Sequence, residues 1–420
     1  TTPGIIANNY IQSSGSYAFY FYYNTNQRIY HNSINSTGTG VGLHYNGSGS
    51  SNNLLKNNIF KANSGYAVDV TNSTGLVEMD YNDLYTSGTY LARWGNINVA
   101  DLAAWREESL KDANSLSFNP QYLSEMDLTA SSPALANAGI ALAVVTTDIN
   151  GVSRKATPSM GANEYDSGGL TPLSGIYTID PSVSNARNFT TIQSTVDAMV
   201  LNGISGAVTF QLASRTYSEQ VVIPDISGGN SSNTVTYESA SGSREDVIIQ
   251  YTATGTGNNY VIQLDNASDL IFRNLTLQAL GTGFGRTLVS ENRLDNLLVE
   301  SCDLISPDLG TNNVNAGNVR LDPSISTDVQ FIGNRITGGD HGIFYRGGTG
   351  SYRAPGTEIR NNEITGPYAY GIYLNFLTGT KVEDNTITMR SNSWSASYTL
   401  EMENVEGSVR VTGNRLTGSR

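Results

Sequence analysis

The sequence predicts an all-β chain: a right-handed parallel β-helix solenoid in two consecutive units, with a short capping helix at the start of the second. Three observations carry this. Of the 420 residues, 38% are hydrophobic and only 15% charged, and Gly, Ser, Thr and Asn fill much of the remainder. That is a strand-and-turn composition; a helical chain would be rich in Ala, Glu, Leu and Lys, and a disordered one would lack the regularly placed apolar residues. Second, the phrase apolar-x-x-Asn-x-apolar returns at a coil-sized period. Asn9, Asn32, Asn57 and Asn82 are spaced by 23, 25 and 25 residues, and Asn334, Asn362, Asn385 and Asn414 by 28, 23 and 29. Third, about ten residues after each comes a second strand-like phrase, such as "GLHY" at 42, "AVDV" at 67, "GIFY" at 342 and "GIYL" at 371. Each period therefore holds at least two short strands between Gly/Asn/Ser turns. Helical-repeat stripes and the Leu-x-x-Leu-x-Leu of leucine-rich repeats are both absent.

In chain order, the first coils run to about residue 86. Asn suits their sharp turns because it tolerates the left-handed conformation. Equivalent asparagines stacked about 4.8 Å apart can also form a hydrogen-bonded ladder, with the flanking Ile or Leu pointing inward. "NINVADLAAWREESLKDANSLSFNP" then predicts a helix at about 99–111. Residues 1–165 are read as the C-terminal part of one β-helix unit with its closing module, and the Gly/Pro-rich 166–175 as a linker. The second unit, 176–420, opens on an amphipathic helix near 190–201. Phe189, Ile192, Val196, Met199 and Val200 share one face, and Asn188 or Thr190 is placed to cap it. Such a helix would cover the open edge of the first coil. In "LLVESCDLIS", Cys302 stands where the ladder asparagine is expected and reads as a buried, inert thiol.

The bulk properties exclude several function classes. The net charge is −13, so nucleic acid and anionic membranes are poor partners. One cysteine permits no internal disulfide. No apolar run is long enough to insert in a bilayer. The chain starts at Thr1 inside one β-helix and ends inside another, which leads us to expect a section of a longer protein.

The motifs after residue 86 carry a family resemblance. "SSPALANAG", the Asp-x-Asn-Gly-x-x-Arg turn (Asp148, Asn150, Gly151, Arg154) and the Gly-Ala-x-Glu-Tyr at 161–165 resemble the module that closes many bacterial right-handed β-helices. "RTYSEQVVIP" at 215–224 resembles the Gly-x-Tyr-x-Glu phrase that opens pectin-lyase-like β-helices, with Arg215 and Thr216 in place of the glycine. The stretch from 174 to about 305 resembles units repeated in tandem in very large secreted adhesin-like surface proteins of the Bacteroidetes type. The resemblance implies an extracellular, cell-surface location, type IX secretion across an outer membrane with a sorting domain beyond Arg420, and no required cofactor.

Some pectin-lyase-like β-helices are enzymes, so the candidate chemistry must be weighed. Such lyases use an Asp/Glu cluster for Ca²⁺ with an Arg or Lys base, and the hydrolases use two or three Asp residues on neighbouring coils. The compact candidate is Asp340, His341 and Arg346 in "GGDHGIFYRGG", without the partner motifs of polygalacturonases. It would need a second carboxylate, from Glu363 or Asp308. The paired glutamine and aspartate phrases of pectin methylesterases do not follow "TYSE". Asp148 and Asn150 form a weak Ca²⁺ candidate lacking a third acidic ligand and a distal Glu; Asp265, Asp269 and Asp303 are looser ones. His31 and His44, with no carboxylate partner in sight, make a poor metal site. "YAFYFYYN" at 17–24 puts Phe19 and Phe21 on one face and Tyr20 and Tyr22 on the other, a sugar platform or a stiffened strand face. A Thr-x-Thr ladder for ice would have one rung, Thr386 and Thr388.

The expected function is therefore a structural and adhesive rod or surface appendage, not an enzyme. Its expected partners are other β-helix units of the longer chain, identical chains in a multimeric appendage, and cell-surface glycans. The alternative is a carbohydrate-active enzyme, a polysaccharide lyase or glycoside hydrolase, acting on uronate-containing polysaccharide.

Overall fold

The computed structural model describes residues 2–418 except 167, 169, 170, 309, 311, 312, 324 and 393–395, and leaves the Ala103 side chain undescribed. It forms two compact units, Thr1–Leu173 with Leu201–Ser205, and Ser174–Val200 with Gly206–Arg420. Both are parallel β-helices, right-handed as parallel crossovers are. Part of the predicted linker, at 167, 169 and 170, lies outside the described residues, and a strand begins at Leu173.

Each coil contributes three strands, one to each of three sheets. Among the described residues the sheets have four, four and five strands in the first unit, and ten, eight and seven in the second. A representative coil runs Gln27–Tyr30, Ser33–Ser36, Val41–Asn46, and pairs in register with the coil above and below. Alternate residues of every strand point into the bore. In the second unit Phe210, Tyr237, Phe272, Val299, Phe331, Ile359 and Val382 follow one another in register and are all buried. Phe210, Tyr237 and Phe272 stack with centroids 5.1 and 5.8 Å apart. Burying each such side chain contributes about 1.5–3 kcal/mol.

Two residues join the first strand of a coil to the second, and the structure divides their labour. The first adopts the left-handed conformation: Asn8, His31, Asn57 and Tyr81 in the first unit, Ser301, Gly333, Asn361, Asp384 and Gly413 in the second. The next residue is the ladder asparagine. This corrects the sequence reading twice. The ladder member in the third coil is Asn58, not Asn57, and the left-handed turn belongs to the residue before the ladder. The amides run Asn9 to Asn32 to Asn58 to Asn82 at 2.8, 3.0 and 3.0 Å, and Asn334 to Asn362 to Asn385 to Asn414 at 2.9, 2.9 and 2.8 Å. Each Oδ1 also accepts the backbone N–H of the neighbouring ladder residue, as Asn362 does from Asn334 at 2.9 Å. Cys302 occupies the ladder position: its N–H donates to Asn334 Oδ1 at 2.9 Å, and burial pushes its thiol up to about 12.

The predicted first helix is α1 (Leu102–Ser109), with Asp101 accepting from Ala104 N–H as N-cap. Its Trp105 is buried against the last coil's interior, and Trp105 Nε1 donates to Asp112 Oδ2 at 2.7 Å. Asp112 and Ser115 then end the asparagine ladder by taking the Asn82 side-chain and backbone donors at 3.2 and 2.7 Å. The residues read as a closing module run back along the flank to the opening coils. Phe118, Ala130, Leu135 and Met160 pack on Ile59, and Arg154 reaches Asn8 Oδ1 at 2.8 Å. This covering explains why the second-sheet strand Ser33–Ser36 is buried on both faces.

The second helix, α2 (Ile192–Asn202), buries Ile192, Thr195, Val196 and Met199. Thr195 Oγ1 meets Tyr237 Oη at 2.8 Å inside the second unit. Val200 and the capping residues differ from expectation. Val200 is exposed, and the first turn is capped by Thr191 Oγ1, which takes Ser194 N–H, and by the Glu219 carboxylate, which takes the N–H groups of Ile192 and Gln193. Glu219 is the acid of the "TYSE" phrase, so that motif holds a helix N-terminus, where a negative charge is favoured. No described helix is long and apolar enough to cross a membrane.

Candidate binding face

The third sheet of the second unit presents an outward row that its register assembles. Arg320, Phe344, Tyr373 and Glu401 are successive partners across four coils, and the row ends on the buried Val289 of the coil before. Alternation explains the placement: in Val319–Leu321, His341–Arg346 and Tyr370–Thr378, Leu321, Tyr345 and Leu374 point into the bore, so Arg320, Phe344 and Tyr373 point out. The Arg320 guanidinium lies 4.4 Å from the Phe344 ring centre, and Phe344 stacks on Tyr373 at 4.5 Å and 14°. Beside them, Tyr370 and Tyr398 stack at 5.9 Å.

A second column, Arg346, Asn375 and Glu403, runs parallel to the first. Asp322 accepts from Arg346 Nε at 2.5 Å and Arg320 Nη2 at 3.4 Å. Glu403 accepts from Tyr373 Oη at 2.8 Å and Asn375 Nδ2 at 3.0 Å. Burial, then the hydrogen bond to Glu403, pushes the Tyr373 phenol up to about 12. Burial and Glu403 also raise Glu401 above the ordinary carboxylate range. The face thus combines ring surfaces, guanidinium groups and two glutamates of unlike environment.

The candidate trio is not brought together. Asp340 and His341 are buried at 2% and 1% exposure, Asp340 just before the strand and His341 at its first position. Asp340 Oδ1 accepts Asn313 N–H at 3.0 Å, and Oδ2 lies 3.5 Å from His341 Nδ1. Burial lowers the imidazole below its ordinary value, towards the neutral form. Its ring lies against Gly317, where a Cβ would approach to 2.1 Å, so the glycine is required by close packing. Arg346 sits five residues on, at the outer face. Of the proposed second carboxylates, Asp308 is paired with Arg390 at 3.0 Å, and Glu363 lies on the outward side of the second sheet between Arg335 and Thr386.

The other candidates find structural partners. Asp148 Oδ1 accepts the N–H groups of Asn150 and Val152, both at 2.8 Å, and Oδ2 accepts Glu164 N–H at 2.8 Å, so the Ca²⁺ candidate builds a turn. Asp303 is held by Arg335 at 2.7 Å, Asp265 accepts from Asn292 at 2.5 Å, and Asp269 from Asn296 at 2.7 Å. Among the described residues no group of three His, Cys, Asp or Glu is arranged to hold a metal. His31 Nδ1 donates to Gly161 O at 3.3 Å, and its Nε2 accepts from Asn57 Nδ2 at 2.9 Å. His44, read as lacking a carboxylate, has one: Asp69 Oδ2 lies 2.9 Å from its Nδ1. The partner is on the next coil, 25 residues on in sequence, a distance that only the register closes. Neighbouring coils continue one column of the Thr386 and Thr388 rung but not the other, so the Thr-x-Thr pattern stays at one rung among these coils. Thr337, Thr365, Thr388 and Thr417 are in register and exposed, while the companion column is Arg335, Glu363, Thr386 and Arg415.

The outward aromatic row was missed in the sequence, although the phrases "GIFY" and "GIYL" contain it. Phe344 and Tyr373 occupy the same place in each phrase, three residues in, next to the inward Tyr345 and Leu374. A family comparison agrees with the architecture of the first unit. A family model described as "Right handed beta helix region" matches residues 3–101. None of the curated proteins compared matches the chain. Among solved structures, a pectin methylesterase from Aspergillus niger is similar over 57% of this chain and 87% of its own, at 16% identity and a TM-score of 0.33. The rice weevil pectin methyl esterase is similar over 57% of this chain and 92% of its own, at 13% identity and a TM-score of 0.33. Likeness at that level carries no statement about activity.

Proposed function

We propose that this chain is an extracellular structural and adhesive section of a β-helical surface protein, and that the outward third sheet of its second unit contacts glycans. The observation that carries the reading is the registered row Arg320, Phe344, Tyr373: stacked rings beside hydrogen-bonding groups on a regular parallel sheet. The outward edges of the stacked rings form an apolar strip, and the surrounding Asn375, Glu403 and Asp322 offer partners to sugar hydroxyls. The burial of Asp340 and His341 supports a scaffold role for the trio.

A second reading rests on Glu401 and Glu403. They are two residues apart on one strand and face outward together, and Glu401 is raised while Glu403 accepts two hydrogen bonds. Two carboxylates on one face are what a glycosidase acid and base require. One experiment decides between the two. The chain is incubated with uronate-containing and neutral polysaccharides, following bound protein, reducing ends and unsaturated product. Binding without turnover, weakened by Phe344→Ala and Tyr373→Ala, is expected. Turnover abolished by Glu401→Gln or Glu403→Gln would replace adhesion with catalysis.

A further inference from the structure

The Arg320 end of the outward row on the second unit carries more positive charge than its carboxylates balance. Strands Leu288–Ser290, Val319–Leu321 and His341–Arg346 are each paired on both sides, so this is the middle of the sheet and not an edge. Three guanidiniums gather there. Arg346 Nε donates to Asp322 Oδ1 at 2.5 Å and Arg320 Nη2 to Asp322 Oδ2 at 3.4 Å, so one carboxylate serves both. The third, Arg286, stands just before Leu288–Ser290. It donates to Val314 O from Nε at 3.3 Å and Nη2 at 2.9 Å, and to Asn315 Oδ1 from Nη2 at 3.5 Å. Among the described residues no carboxylate pairs with it, and Glu291 and Asp322 act on it only at longer range.

Like charges therefore act on one another. Burial, then Arg320, lowers the Arg286 guanidinium to about 10, and both arginines add to the lowering of the buried His341. Register explains the neighbourhood. Two positions before the paired Leu288, Val319 and Ile343 stand Arg286, Gly317 and His341. The His341 ring lies over the glycine, towards the coil of Arg286, and its buried Nε2 has no hydrogen-bond partner. The carboxylate on the other side of that ring, Asp340, is buried and engaged by His341 Nδ1 and Asn313 N–H. On a chain of net charge −13, three cations directly paired with one carboxylate make a local reversal of sign. Low-dielectric walls strengthen the field such a spot presents to an anion.

The chemistry of the spot selects its ligand. Arg320 and Arg346 keep 26% and 41% of their side-chain surface exposed, and Arg286 is half-buried, so an anion can reach all three. A guanidinium stays charged at any physiological pH, and its planar fork bonds two oxygens at once. A carboxylate offers two oxygens in one plane and is filled by one fork. A sulfate ester offers three terminal oxygens on a tetrahedral centre and can accept from forks on two coils. Glu401 and Glu403, at the far end of the sheet, do not cancel the field. Three coils of ~4.8 Å put Glu401 about 14 Å from Arg320, beyond the Debye length of about 8 Å at physiological salt.

We propose that Arg286 and Arg320 form an anion subsite of this face and that the glycan it takes is sulfated. The sulfate ester sits between the two guanidiniums, and the pyranose chain continues along the edges of Phe344 and Tyr373. The inference rests on the glycan reading of the same sheet and adds the class of glycan. Arg346 is left to its Asp322 pair and contributes charge without a direct contact.

The test uses the 420-residue chain and titration calorimetry against a sulfated galactan hexasaccharide, the same hexasaccharide after desulfation, and hexagalacturonate as the carboxylate probe. The sulfated form should bind about tenfold tighter than the desulfated one, with an advantage that shrinks as salt is raised. Arg286→Gln should remove most of that advantage and leave desulfated binding unchanged. Arg286→Lys, which keeps the charge without the fork, should retain part of it. Phe344→Ala should weaken both forms alike. Circular dichroism checks that the arginine variants fold, and the lysine variant preserves a donor for Val314 O. Desulfated binding as tight as sulfated would overturn the subsite and leave the glycan reading standing. Sulfated binding that ignores Arg286→Gln would do the same. Hexagalacturonate binding as tightly as the sulfated form would overturn the choice of sulfate. No binding of any of the three would overturn this inference and the glycan reading together.

Discussion

Asn361 and Asn362 are adjacent and chemically identical, yet the fold uses them differently. Asn361 has φ 56° and supplies a left-handed turn; Asn362 is buried and supplies ladder hydrogen bonds to Asn334, Asn385 and Phe331 O. Asn361→Gly should therefore cost almost nothing, since glycine adopts that conformation freely. Asn362→Ala strips acceptors from Asn334 N–H and Nδ2 in a dry interior. It should cost about 3 kcal/mol, read as a shift in the denaturant midpoint. Equal effects of the two substitutions would refute this division. Asp225 offers a pH test. Burial pushes it up to about 6 from an ordinary 3.8, with Asp269 and Asp295 adding to the rise against Arg293. Its folded pKa is above the unfolded one, so the stability it contributes is complete below about pH 4 and lost as pH rises through 6. Asp225→Asn should raise the melting temperature relative to wild type at pH 7.5 and lose that advantage at pH 4.

At the scale of elements, the two helices deal with exposed coil ends by different means. α1 inserts Trp105 against the interior and hands the ladder to Asp112 and Ser115. α2 lays Ile192, Val196 and Met199 inward and ties its first turn to Glu219. Replacing Val196 and Met199 with aspartate should lift α2, uncover strand edges and cause association, measured by light scattering. A variant that stays monomeric and folded would remove the capping role. Glu219→Ala alone should cost about 1 kcal/mol, the usual loss for a helix cap.

Over the whole molecule, nearly every strand pairs with one a full coil away, as Glu358–Arg360 does with Lys381–Glu383 and Ser326–Ile332. Such contacts must close long loops before they are rewarded, so folding is slow. Unfolding and refolding curves in guanidinium should separate after hours of incubation and converge only with long equilibration. Superimposed curves at short times would contradict this.

The parallel β-helix, the coil period, the two helices and the inward apolar residues were legible in the sequence, because each is set by local alternation and a repeated turn. Cys302 was placed correctly in the ladder for the same reason. Asn57 was mistaken for Asn58 because two asparagines in a row satisfy the same local pattern, and only the coil above shows which amide accepts its hydrogen bond. Glu219 at the start of α2, Asp69 under His44, and the row Arg320, Phe344, Tyr373 were not legible. Each joins residues some 24–30 positions apart, and their meeting depends on register between coils, where insertion of a single loop residue changes the sequence spacing but not the stack. Local chemistry along the chain determined what each coil is; the vertical stacking of coils decided which side chains share a surface.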